Sequence, residues 1–234
     1  MKRASVTALV ATGFAALSIG TAVAAEPNAS SGFYVRADVG GSLGQTVSIP
    51  GQSASGITLN AGSGTIGGSV LLGAGVGYRI NPMFRIDATL GYLPSAQVSV
   101  SGTGLVGARS LTYASSATAN AWVGLVNGYF DISGLSPQSF GAFQPYVSAG
   151  FGFANINLAS GSGTVNVAGL GTTPFPTSNA TATNFAWSVG AGVGYTLTPQ
   201  ATLDLSYKYL NVGSSSAIKN QTLNLFALGV RYTF

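Results

Sequence analysis

The 234-residue sequence has no cysteine and no histidine, and only 6% of its residues are charged. Without cysteine there is no disulfide, so a chain that leaves the cytoplasm must draw its stability from a packed core or from a membrane. Without histidine the usual general base of serine hydrolysis and the commonest metal ligand are gone, which argues against an enzyme and predicts neither a metal site nor a cofactor. So little charge is unusual for a soluble domain, and a hydrophobic content of 46% excludes a disordered chain. The formal charge of +4 falls to about +2 once Lys2 and Arg3 are set aside as part of a leader, too little for a nucleic-acid footprint. Long helical runs are missing as well. Residues 132–203 carry no charge, yet Gly, Pro, Ser, Thr and Asn recur there too densely for a membrane helix.

What is present begins with a leader. Met1, Lys2 and Arg3 form a basic start, Ala4 to Ile19 an apolar run, and Ala22-Val23-Ala24 a small-residue cleavage site. Residues 1–24, or 1–25, are therefore expected to be a cleaved signal peptide, leaving 25–234 as one domain. The alternative is an uncleaved membrane helix, against which Gly, Ser and Thr dilute the run.

Many of the 34 glycines recur at alternate positions. Residues 73–93, GAGVGYRINPMFRIDATLGYL, return without a gap at 190–210 as GAGVGYTLTPQATLDLSYKYL. In both copies the glycines alternate with Ala, Val and Tyr, which is strand spacing and not the strand-to-helix turn that a dinucleotide loop requires. Gly73, Gly75, Gly77, Gly190, Gly192 and Gly194 are expected to leave space on one face for long polar neighbours and to permit wall curvature. Across six such segments Arg36, Asp38, Arg79, Arg85, Asp87, Asp204, Lys208 and Arg231 share the glycine face, opposite an apolar face. In NAWVGLVNGYFD parity is ambiguous, and polarity places Asn127 and Asp131 with the charges and Trp122, Val126 and Phe130 opposite.

Parity alone does not say which face is inside. The apolar face carries Tyr78, Phe84, Tyr195, Tyr232 and Phe234 beside the short turns and Tyr92, Phe185, Trp187, Tyr207 and Tyr209 toward the long ones. Two aromatic girdles around an aliphatic band are the mark of a lipid-facing wall, and segments of about ten residues suffice to cross it when tilted. Turning an Arg or Lys outward at the midplane would cost about 2–4 kcal/mol each. The charges are expected to point inward as a mutually paired plug in a lumen too narrow for an open pore. Connections alternate between tight turns at 81–83 and 198–200, with a longer one at 131–144, and long Gly/Ser/Thr-rich stretches at 42–68, 94–116, 157–183 and 211–221. This predicts an all-β, antiparallel, up-and-down transmembrane barrel. Eight strands are expected near 32–41, 69–80, 84–93, 117–131, 144–156, 184–197, 201–211 and 222–234. QVSVSG either prolongs strands above the membrane or adds a further pair, making ten.

The segments NGYFD (127–131), PYVSAGFGFA (145–154), LDLSYKYLNVG (203–213) and the terminal LGVRYTF resemble the strand signatures of bacterial eight-stranded outer-membrane barrels of the porin-like or opacity type, similar to the membrane domain of OmpA. The resemblance covers essentially all of the chain after the leader, without a following peptidoglycan-binding domain. It implies a Gram-negative outer-membrane location, with lipid, lipopolysaccharide and the secretion and barrel-assembly machineries as partners. It also implies that Gly229, Tyr232 and Phe234 act as the assembly signal, with Ala227 standing where the family tends to be polar. The expected role is non-enzymatic: anchoring surface loops, with a contribution to envelope integrity, adhesion or antigenicity and an extracellular ligand for the loops left open. The alternatives are a narrow passive channel for small solutes and a soluble secreted barrel with its faces exchanged.

Overall fold

The computed structural model describes residues 32–213 and 221–234. The expected signal peptide lies outside them. Eight long strands form the wall: β1 Gly32–Ser42, β2 Ser69–Arg79, β3 Phe84–Val106, β4 Arg109–Asp131, β5 Phe143–Leu158, β6 Ala180–Thr196, β7 Ala201–Asn211 and β8 Thr222–Thr233. Each pairs antiparallel with its neighbours in sequence, and β8 returns to β1 with Val35 opposite Tyr232 and Asp38 opposite Gly229, closing the ring. Closure matters because an open edge would leave backbone amides and carbonyls unpaired in lipid. Among the described residues no helix is long and apolar enough to cross a membrane. The strands make the crossing.

Local sequence sets the short end of the barrel. Asn81 closes the β2–β3 turn by accepting hydrogen bonds from the amides of Met83 and Phe84, both at 2.8 Å, through its Oδ1. Thr198 does the same for Ala201 at 3.0 Å through Oγ1, so each Pro82 or Pro199 turn is held by a polar side chain just before the proline. The third connection contains a 3-10 turn at Ile132–Gly134 and a helical turn at Pro137–Phe140, which is why it is longer than its siblings.

The other end departs from expectation. Residues 94–116 are not a loop: β3 and β4 continue as one hairpin, paired from Phe84 opposite Phe130 to Val106 opposite Arg109. QVSVSG therefore prolongs a wall strand and adds no membrane-crossing pair. Residues 42–68 and 157–183 likewise fold into short hairpins, Gln45–Ile49 with Gly62–Ile66, Gln52–Ala54 with Ile57–Leu59, and Gly161–Val167 with Gly171–Thr177. They dock on the prolonged β3 and β4, and the whole is one fourteen-stranded sheet. Ser, Thr and Gly make poor contributors to an apolar core and read as loop, but hydroxyl-bearing side chains that alternate with Val and Gly satisfy a two-sided extramembrane sheet.

One irregularity sets the faces of this extension. Between Leu93 and Ala96 the β3 register slips relative to β4, and Ser95 takes a left-handed φ of 56°. The extra residue reverses parity. Below it Ile86, Leu90 and Tyr92 face out; above it Gln97, Ser99, Ser101 and Thr103 face out and Val98 and Val100 turn in. The outward face thus changes from apolar to hydroxyl-bearing just above Tyr92 and Trp122.

Candidate functional site

Among the described residues, the barrel interior is where the charged side chains meet. All four aspartates of the chain, Asp38, Asp87, Asp131 and Asp204, lie in it, with Arg36, Arg79, Arg85, Lys208 and Arg231. The register sets Arg36 opposite Arg231 and Arg79 opposite Arg85 on the inner face. Like charges so placed require carboxylates between them.

Those carboxylates are supplied from other strands. Arg36 grips Asp38 with two hydrogen bonds, Nε to Oδ2 at 2.9 Å and Nη2 to Oδ1 at 2.7 Å. Its Nη1 reaches across the lumen to the Tyr129 hydroxyl at 2.9 Å and to Asp87 Oδ2 at 3.4 Å. Asp87 also accepts from Asn127 Nδ2 at 2.8 Å and from the Tyr34 hydroxyl at 3.2 Å. Asn127 in turn accepts from Lys208 Nζ at 3.4 Å.

A second cluster lies nearer the short turns. Arg85 Nε stands 3.1 Å from both oxygens of Asp131, and the guanidinium is held between the rings of Tyr129 and Tyr146, 4.1 and 4.5 Å from their centroids. Arg231 faces Asp204 at 3.5 Å, close enough for an ion pair though not aligned for a hydrogen bond, and donates from Nη2 to Gln144 Oε1 at 3.1 Å. Arg85, Arg231, Asp131 and Asp204 are each 1% exposed, so these are fully desolvated charges. Arg79 is half-buried on the same face and makes no ion pair among the described residues.

The alternating glycines give this plug its space. A side chain at Gly192 would begin 2.5 Å from the Tyr146 hydroxyl, and one at Gly75 would begin 2.8 Å from Thr89 Cγ2 and 3.3 Å from Arg36 Cγ. At Gly77, Gly150 and Gly229 it would run into Tyr34, Asn127 and the Asp38 carboxylate. They mark where inward side chains from neighbouring strands cross the wall face.

Above the plug the lumen becomes apolar. Leu93, Val123, Leu125, Ala154, Ala186, Leu210, Val212 and Leu225 are all buried and pack together, spanning the interior from several strands. A cavity of about 70 Å³ separates them from Arg36, Asp38 and Lys208, room for a few waters at the boundary of the two layers. This apolar layer and the buried rings of Tyr34, Tyr129 and Tyr146 were not singled out from the sequence. Parity carried the signal for Tyr129, which shares a face with Asn127 and Asp131. It carried none for the layer, since an inward Leu in a strand with outward Leu reads as noise.

The outer surface carries the aromatics. Phe84, Phe185, Trp187, Tyr195 and Tyr207 are exposed, whereas Tyr78, Tyr92 and Tyr209 are half-buried because they lie against Phe33, Trp122 and Trp187 at centroid distances of 4.8, 4.4 and 5.9 Å. Phe143 packs on Tyr195 at 5.1 Å, and Tyr232 on Phe234 at 5.4 Å, beside the short turns. The Phe234 amide donates to the Phe33 carbonyl at 3.0 Å and so extends the closing seam.

A closed ring of strands with aliphatic and aromatic side chains outside and ion pairs inside is an integral membrane β-barrel. Residues 12–234 match the outer membrane protein beta-barrel domain family, and the chain belongs to it, a protein of the Gram-negative outer membrane. Relatives include an uncharacterized protein of Brucella suis, 30% identical over 170 residues, which covers 68% of this chain and 57% of the relative. Another is the outer membrane protein PagN of Salmonella typhimurium, 30% identical over 125 residues, covering 47% of this chain and 48% of PagN. The match thus spans little more than half the length of the Brucella relative. Among solved structures, Neisserial surface protein A is 21% identical with a TM-score of 0.46, covering 86% of this chain and 97% of that one. OprG from Pseudomonas aeruginosa is 12% identical with a TM-score of 0.48, covering 89% and 98%.

Proposed function

We propose that the protein is a closed, non-enzymatic barrel that anchors an extracellular β-sheet to the outer membrane and contributes to envelope integrity, adhesion or antigenicity. The observation that carries this reading is the double closure of the lumen, a desolvated ion-pair layer below and an apolar layer above. Both layers weigh against passage of a hydrated solute. The sheet above the membrane supports the anchoring half of the proposal: Ser63, Thr65, Ser99, Ser101, Ser116 and Thr164 all lie exposed on it, with Arg109 as the charged residue among its described members. A neutral hydroxyl face immediately above the aromatic band suits the saccharide part of lipopolysaccharide. The export and barrel-assembly machineries are the partners proposed for biogenesis, with Gly229, Tyr232 and Phe234 on β8 as the assembly signal.

Non-enzymatic action is supported by the absence of histidine and by the engagement of the aspartates with arginines. Purified protein in planar bilayers tests the central point. Silent bilayers are expected under an applied voltage. Steady single-channel steps that vanish on unfolding would instead establish the narrow passive channel.

A further inference from the structure

Above the apolar layer the barrel mouth widens into a cavity of about 270 Å³. Its wall is built from the inward side chains of Ile66, Val98, Ile156, Leu158, Ala182 and Leu223, and Leu93 and Val212 close it below. Among the described residues no charged side chain lines it. Four amide groups do, Gln45, Asn120, Asn184 and Gln221, and the side-chain nitrogens of Gln45 and Asn184 are buried without a hydrogen-bond partner. Gln45 is oriented by Thr222, whose hydroxyl donates to Gln45 Oε1 at 3.4 Å, and this leaves its Nε2 as a donor toward the cavity. Unpaired buried donors are costly, and in an apolar chamber they find relief from an acceptor carried by whatever fills it.

We propose that this chamber is a binding site for a small neutral lipophile that carries an uncharged oxygen acceptor, such as a ketone, ester or lactone. The volume exceeds the roughly 150 Å³ that admits benzene and fits a molecule of about ten non-hydrogen atoms. A carboxylate is disfavoured because no cation among the described residues faces the chamber, and a sugar because its many hydroxyls would meet a mostly apolar wall. The closed layer beneath makes the site a dead end, so it holds its ligand and does not pass it on. This goes beyond the anchoring role and does not depend on it.

The test uses the protein in phospholipid nanodiscs with labelled Ile, Leu and Val methyls, titrated with nonan-2-one and, as the control for partition into lipid, with nonane. Nonan-2-one should shift the methyls of Ile66, Ile156, Leu158 and Leu223 saturably, with nonane about tenfold weaker. Gln45→Leu and Asn184→Leu should each reduce the preference for the ketone several-fold, the loss of one neutral hydrogen bond. Ala182→Phe, which fills the chamber, should abolish the shifts while the protein keeps its heat-modifiable gel mobility. Shifts confined to lipid-facing methyls such as Ile86 and Leu205, equal response to ketone and alkane, or saturable shifts that persist in Ala182→Phe would each overturn the proposal.

Discussion

Replacement of Asp131 by alanine leaves Arg85 without its counter-charge in the most desolvated part of the plug. The side chains of the two residues are 0% and 2% exposed, and the contact from Nε to both carboxylate oxygens is 3.1 Å. The other two guanidinium nitrogens have no hydrogen-bond partner and face the rings of Tyr129 and Tyr146. Stranding one member of such a pair costs about 3–5 kcal/mol, and the ring contacts that survive return up to about 2 kcal/mol in a desolvated setting. The net expectation for Asp131→Ala is a loss near the lower bound, about 3 kcal/mol. Removing both charges in Arg85→Met/Asp131→Leu should restore most of it, because the desolvation cost disappears with the pair. Guanidinium unfolding of protein refolded into phospholipid vesicles, followed by the fluorescence of Trp122 and Trp187, measures both. Asp131→Ala within 0.5 kcal/mol of the parent, or a double variant weaker than the single one, would refute the view that the lumen is dry and its charges mutually compensated.

Three further outcomes are expected. Gly192→Val, whose Cβ would start 2.5 Å from the Tyr146 hydroxyl and 2.7 Å from the Leu205 carbonyl, should lose about 1–3 kcal/mol in the same assay. Gly128→Ala, with nothing within 4 Å, should change stability by less than about 0.5 kcal/mol. Excision of residues 98–117, with Gln97 and Thr118 joined through Asn-Gly, should preserve β-sheet circular dichroism and heat-modifiable mobility, since the pairing of 84–93 with 121–130 is untouched; collapse of either signal would show that the extension is part of the barrel's own stability.

Much of this was legible in the residues, and the reason is periodicity. A strand with one wall in lipid and one in a polar lumen must alternate, so parity put Arg85 and Asp87 on one face with Thr89 and Gly91, and the aromatic girdles opposite put that face inside. The repeat of GAGVGY likewise pointed to strands and not to a loop. Pairing was not legible. Which carboxylate meets Arg85 depends on the stagger between β3 and β4, and Asp131 lies 46 positions away in sequence. The extramembrane hairpins were hidden for a different reason: their hydroxyl-bearing alternation lacks the apolar contrast that marks a strand in lipid. Finally, Ser95 gives no sign of the bulge that redirects Val98 and Val100 inward, since the shift is a property of the paired backbone.

The orientation of the wall is the claim on which the rest stands, and the two tryptophans report on it directly. Trp122 and Trp187 are 43% and 40% exposed on the outer face, and they are the only tryptophans in the chain. In vesicles of lipids brominated along the acyl chains their fluorescence should be strongly quenched, while acrylamide in the water should quench it little. Efficient acrylamide quenching with no effect of the brominated lipids would mean that the apolar face does not meet the membrane.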